Sequence, residues 1–107
     1  MIQVFRYQTG DGREPLTDWL VSLRDKQAQA KLRIRLKRLE AGLFGDCEAV
    51  GDGVFELREH LGAGYRVYFG RHGHTVVILL WAGSKKTQTA DIRAAKAYWA
   101  DWKRRQA

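Results

Sequence analysis

Arg58 and Arg66 flank the short, glycine-containing turn His60-Leu61-Gly62-Ala63-Gly64, and Lys85 and Lys86 follow the next apolar run. Such a turn favours a β-hairpin, which sets Arg58 and Arg66 close across the ladder. Like charges so placed repel. A pure scaffold has little reason to accept that cost, whereas a phosphate-binding face does. Three separate elements would bring Arg58, Arg66, Lys85 and Lys86 to one side of a sheet. Glu56 alternates onto the strand face of Arg58. It is either a general base or an ion-pair partner that separates the two arginines. Tyr68, with Tyr65 in the same strand, can stack on a nucleobase or hydrogen-bond a phosphate. His60 is a further possible base, or a solvated turn residue.

This set suits cleavage of RNA without a metal, because the 2′-hydroxyl is an internal nucleophile. The reaction needs a group to take the 2′ proton, cations for the pentavalent phosphate and a donor for the leaving 5′ oxygen. Arg58 and Arg66 are the phosphate clamps, and Lys85 or Lys86 adds charge or acts as the acid. No metal or cofactor is expected. There is no GxxxxGK[ST] loop and no cysteine pair for zinc. His72 and His74 sit in a predicted hairpin turn and lack converging ligands. Asp18, Asp46, Asp52 and Asp91 are scattered and make no obvious two-metal cluster.

The surrounding pattern predicts one α+β domain over residues 1–107. Ile2–Tyr7 reads as a strand, and Pro15 is placed for the first turn of a helix. Leu16, Trp19, Leu20 and Leu23 then form one apolar stripe. A second helix runs from after Asp25 to about Ala41, with Ala28, Leu32, Leu36, Leu39 and Leu43 as its stripe and Gly42 as its stop. These two helices form an antiparallel hairpin. Phe44–Asp52 reads as a loop, followed by a three-stranded meander that ends near Ala82-Gly83-Ser84. Val54, Glu56 and Arg58 alternate with Phe55 and Leu57, so one set should face the core and the other solvent. A final helix from about Gln88 to Arg105 carries Ile92, Ala95, Trp99 and Trp102 on one side. The N-terminal strand and helical hairpin should pack on an antiparallel sheet.

The formal net charge of +7 attracts polyanions. Arg33, Arg35 and Lys37, with Lys31 and Arg38, crowd the second helix; they form a solvated face, steer RNA or receive an acidic partner. The C-terminal Lys103, Arg104 and Arg105 need only the helix dipole to explain them. The longest apolar run, Thr75–Gly83, is too short to cross a bilayer, so no membrane association is expected. A lone cysteine, Cys47, and an N-terminus without a signal-peptide pattern point to the cytoplasm.

The order of elements, with GVFELREHLGAGYRVYF, VVILLWAGSKKTQTADI and a closing AKAYWADW, resembles the RelE/ParE toxin superfamily, and most closely its HigB-like branch of phage-derived addiction-module killer proteins. The resemblance covers nearly the whole chain. It implies a RelE-like fold and a type II toxin that stops translation by cleaving mRNA, commonly on the ribosome. It also implies a cognate antitoxin, usually of helix-turn-helix type, with operator DNA bound only through the complex. Arg66 matches the arginine that cleaving members place on the central strand, and Lys85-Lys86 fall where they carry a phosphate-facing basic residue. Arg58 matches a basic position on the preceding strand. Val54 and Glu56 stand where a ribosome-dependent member has lysines, and Thr87, Gln88 and Thr89 offer no counterpart to its tyrosine. The shared fold also admits a ParE-like gyrase poison without nuclease activity, or a non-toxic RNA-binding or regulatory module.

Overall fold

The computed structural model describes residues 1–106. The elements are β1 (Gln3–Arg6), α1 (Pro15–Ser22), α2 (Lys26–Arg38), β2 (Cys47–Gly51), β3 (Val54–Glu59), β4 (Tyr65–His72), β5 (Val76–Ser84) and α3 (Gln88–Gln106). Single 3₁₀ turns, Leu39–Ala41 and Lys85–Thr87, extend α2 and precede α3. Local chemistry sets the helix ends. Pro15 opens α1, where a missing N–H costs nothing. The Asp25 carboxylate accepts from the Ala28 amide at the start of α2. Gly42, at φ 77°, closes the 3₁₀ turn in a left-handed conformation that suits glycine.

The sheet order is β1-β5-β4-β3-β2, with β3, β4 and β5 forming the expected meander. Every pairing is antiparallel except that of β1, which runs parallel to β5 and makes the sheet mixed. Cys47–Gly51, read from sequence as loop, is an edge strand paired with β3. The ladder supplies what the local sequence lacks, since Glu48 and Ala49 are exposed and show no apolar alternation.

Helices cover both faces. On one, Leu16 and Leu20 of α1 and Ala28, Leu32 and Leu36 of α2 pack on Leu57, Val67, Phe69, Val77 and Leu79. On the other, Ala95 and Trp99 of α3 pack on Val54, Tyr68, Ile78 and Leu80. The expectation that one set of β3 residues meets solvent is therefore corrected: α3 buries Val54 and Glu56. Fully enclosed leucines such as Leu20, Leu32 and Leu80 contribute about 1.5–3 kcal/mol each. The stripe of α2 ends at Leu39; Leu43 lies past Gly42 and is 60% exposed, because the left-handed residue turns the chain away from the sheet.

A bulge in β5 matters for the site. Tyr68 pairs with Trp81 but Phe69 pairs with Leu79, which leaves Leu80 as an extra residue. Both Leu80 and Trp81 consequently turn toward α3, and Ala82 returns to the α1–α2 core. Gly83 then lies beneath the first turn of α3 so closely that a Cβ there would stand 1.8 Å from Asp91 Oδ2.

Candidate phosphate-binding site at the hairpin end

The β3–β4 hairpin places Arg58 directly opposite Arg66, and Arg66 in turn opposite Gly83 of β5. Period-two alternation puts Glu56, Arg58, Arg66 and Tyr68 on the face that α3 only partly covers. The repulsion expected between the two arginines is met by separate carboxylates. Arg66 Nε donates to Glu56 Oε1 at 3.1 Å. Arg58 turns the other way, to Asp46 Oδ1 at 3.1 Å and Glu48 Oε2 at 2.8 Å. Of the two arginines, Glu56 thus pairs only with Arg66 and does not stand between them.

Glu56 is 2% exposed and its Oε1 is the hub of the buried polar network. Besides Arg66 it accepts from Tyr68 Oη at 3.3 Å and from Gln88 Nε2 at 2.6 Å, at the first residue of α3. Burial, followed by the nearby charges of Glu56 and Asp91, pushes the Tyr68 hydroxyl well above its ordinary value. Tyr68 is fully enclosed and acts here as a donor to Glu56. One enclosed carboxylate oxygen thus accepts from three side chains drawn from β4 and α3.

Arg66 is largely enclosed, with 11% of its side chain exposed. Its Nη1 donates to the Gly64 carbonyl at 3.3 Å, and the Lys85 amide donates to the same oxygen at 2.8 Å. One turn carbonyl therefore ties the Arg66 guanidinium to the start of the Lys85–Thr87 turn. Lys85 and Lys86 are exposed there, just before the N-terminus of α3. These ammonium groups stand at the positive end of a 19-residue helix, beside the largely enclosed Arg66 guanidinium.

Beside it, His60 and Asp46 form a dyad that spacing does not reveal. His60 Nε2 lies 2.7 Å from Asp46 Oδ2, while Asp46 Oδ1 holds Arg58. The His60 hydrogen bond, followed by Arg58, holds the Asp46 carboxyl below the usual carboxylate range. The His60 side chain is 75% exposed, so its ring is both oriented and accessible.

The other candidates lie apart from this surface. Tyr65 is buried in the α1–α2 core, edge-on to Trp19 at 6.0 Å. Arg35 projects inward from α2, donating to the Arg58 carbonyl at 2.7 Å and to Glu59 at 3.2 Å, which fastens helix to sheet. Arg33 and Lys37 are exposed on α2 and border a cleft beside Val4 and Arg6 of β1, across the sheet from Arg66. Three clefts of about 560–610 Å³ mark the surface, and none of the three is lined by Arg58, Arg66 or Lys85. The hairpin-end cluster lies outside these three clefts. Among the described residues no three His, Cys, Asp or Glu side chains converge as metal ligands.

Comparison with known proteins adds a family to this geometry. Residues 18–99 match the family model described as "Phage derived protein Gp49-like (DUF891)". A protein of Haemophilus influenzae, described only as uncharacterized, is 50% identical over 78 residues, which span 73% of this chain and 79% of that protein.

Proposed function

The chain belongs to the Gp49-like family of phage-derived proteins, and from that membership and the hairpin-end geometry we propose that it is the toxin of a type II toxin–antitoxin pair. In this reading it inhibits translation by cutting mRNA, on the ribosome, and a cognate helix-turn-helix antitoxin holds it inactive. The observation that carries the proposal is the junction at Gly64. Arg66 and Lys85 arrive from different elements and share one carbonyl, opposite Arg58 on the same face.

The reaction follows from what these groups can do. The 2′-oxygen attacks the adjacent phosphorus while a base removes its proton, and the P–O5′ bond breaks as the leaving oxygen takes a proton. The products are a 2′,3′-cyclic phosphate and a 5′-hydroxyl end. Arg66 and Arg58 face the extra negative charge of the pentavalent phosphorane, where preorganised donors are worth most. Engaging Arg58 requires the phosphate to share it with Asp46 and Glu48. His60, oriented by Asp46, is better placed than enclosed Glu56 to take the 2′ proton. Lys85 or Lys86 supplies the second proton or the charge beside the leaving group.

Induced expression without the partner should halt protein synthesis before DNA synthesis. Arg66→Ala, folded, should restore growth, and co-expression of the antitoxin should do the same for the unaltered protein. Unchanged toxicity of Arg66→Ala would overturn the assigned site. DNA breaks with an SOS response would point to gyrase instead.

A further inference from the structure

We propose that the aromatic cleft between the β1–α1 loop and Trp81 receives one nucleobase of the bound RNA, adjoining the phosphate face. This inference rests on the RNA-cleavage reading and gives it a base-reading subsite. The cleft exists because β1 is too short for its partner. It pairs with β5 only from Val76 to Leu79, so the end of β5 has no strand on that side. The chain instead rises through residues 9–13 into α1 and walls off a space of about 570 Å³. Trp81, which lines it, precedes by two residues the Gly83 that pairs with Arg66, a step of roughly 7 Å along a strand.

The lining suits a base. Trp19, Trp81 and Tyr98 are each half-buried, and all three border the cleft. Trp81 and Tyr98 meet edge-on, 6.2 Å apart at 79°, so a flat ring can stack on one and abut the other. Both are fixed in advance. The Trp81 indole donates to Asp91 at 2.9 Å, and Tyr98 stacks on Tyr7 at 4.8 Å. Little rotamer entropy remains to be lost on binding. The charge is also telling in a chain of net +7: Asp11 and Asp18 outnumber Arg13 here. That balance disfavours a phosphate and leaves a neutral, planar, hydrogen-bonding group as the fitting occupant. Arg13 and Asp18 form an exposed ion pair at 3.1 Å, which is cheap to re-pair with a base edge.

The test uses uncleavable 2′-O-methyl RNA hexamers, either complete or abasic at one position in turn, titrated into the full chain. Loss of one particular base should weaken binding by about 5- to 150-fold, the range for a stacked base. Ser22→Trp, which fills the cleft from the exposed end of α1, and Tyr98→Ala should each erase that difference, with thermal melts confirming the fold. Equal binding of every abasic hexamer, discrimination that persists in folded Ser22→Trp, or no RNA binding at all would overturn the subsite. Cleavage of mRNA without base discrimination would leave the nuclease standing and remove the subsite. Base discrimination without cleavage would do the reverse.

Discussion

Replacing Glu56 separates its two possible roles, because Ala and Gln remove different things. In Glu56→Ala the Arg66 guanidinium, the Tyr68 hydroxyl and the Gln88 amide all lose the same acceptor. Both ions of the pair are largely enclosed, with 3% and 11% of their side chains exposed. Removing one partner of such a pair costs about 3–5 kcal/mol, a large share of the roughly 5–15 kcal/mol that holds a domain together. With a urea slope near 2 kcal/mol/M, the unfolding midpoint should fall by about 1.5–2.5 M. Glu56→Gln keeps an acceptor oxygen at the hub and should lose less, although it too leaves the Arg66 charge without its counter-ion. If Glu56 only positions Arg66, the folded Gln variant should retain mRNA cleavage within about tenfold. If it were the general base, cleavage should drop by about 10²–10⁴ with the fold intact. Urea melts and cleavage rates on the two variants decide the matter. A midpoint shift under 0.5 M for Glu56→Ala would refute the hub, taking roughly a quarter of the 2 M expectation as the threshold, and a rate collapse in folded Glu56→Gln would refute the positioning role.

Further outcomes follow from the same geometry. His60→Ala and Asp46→Asn should each slow cleavage, His60→Ala by about 10²–10⁴, while thermal melts show both folded and Asp46→Asn less stable for its lost contacts to Arg58 and His60; full activity in both would remove the dyad from the chemistry. Gly83→Ala places a methyl against the Asp91 carboxylate and should destabilise by about 1–3 kcal/mol or more, read by urea denaturation, and an unshifted midpoint would contradict the close approach. Asp46 is held low by His60 and then Arg58, and Asp101 by the Tyr7 hydroxyl and then Arg105. Carboxyls with depressed folded values stabilise fully above about pH 4 and lose that contribution as pH falls through the lowered values. Denaturation midpoints should therefore hold steady from neutrality to about pH 4.5 and fall below it; a midpoint independent of acidification would contradict these contacts.

What could be read from the chain was what lies close in sequence. The stripe of Leu16 and Leu20, the start of the second helix after Asp25, the Gly42 stop and the Arg58–Arg66 pairing each depend on neighbours within a turn or a hairpin, and the structure contains all of them. The features that escaped depend on distant pairing. Cys47–Gly51 becomes a strand because β3 offers it an edge, and β1 pairs with β5, whose residues lie at the far end of the meander in sequence. The bulge at Leu80 reverses the alternation from which the face of Trp81 would have been read. Among the site residues, Gln88 reaches Glu56 across 32 positions and His60 reaches Asp46 across 14. No spacing rule joins such pairs. Arg35 and Tyr65 show the converse difficulty: side chains that can bind RNA can also fasten a helix or fill a core, and burial decides which.

Mapping of mRNA 5′ ends after induction tests the central claim most directly. Within minutes of expressing the unaltered chain without its antitoxin, new 5′-hydroxyl ends should appear inside coding sequences, and Arg66→Ala, shown to be folded, should produce none. Intact mRNA during growth arrest, or the same ends from Arg66→Ala, would contradict the assignment of an RNA-cleaving site at the Arg66–Lys85 junction.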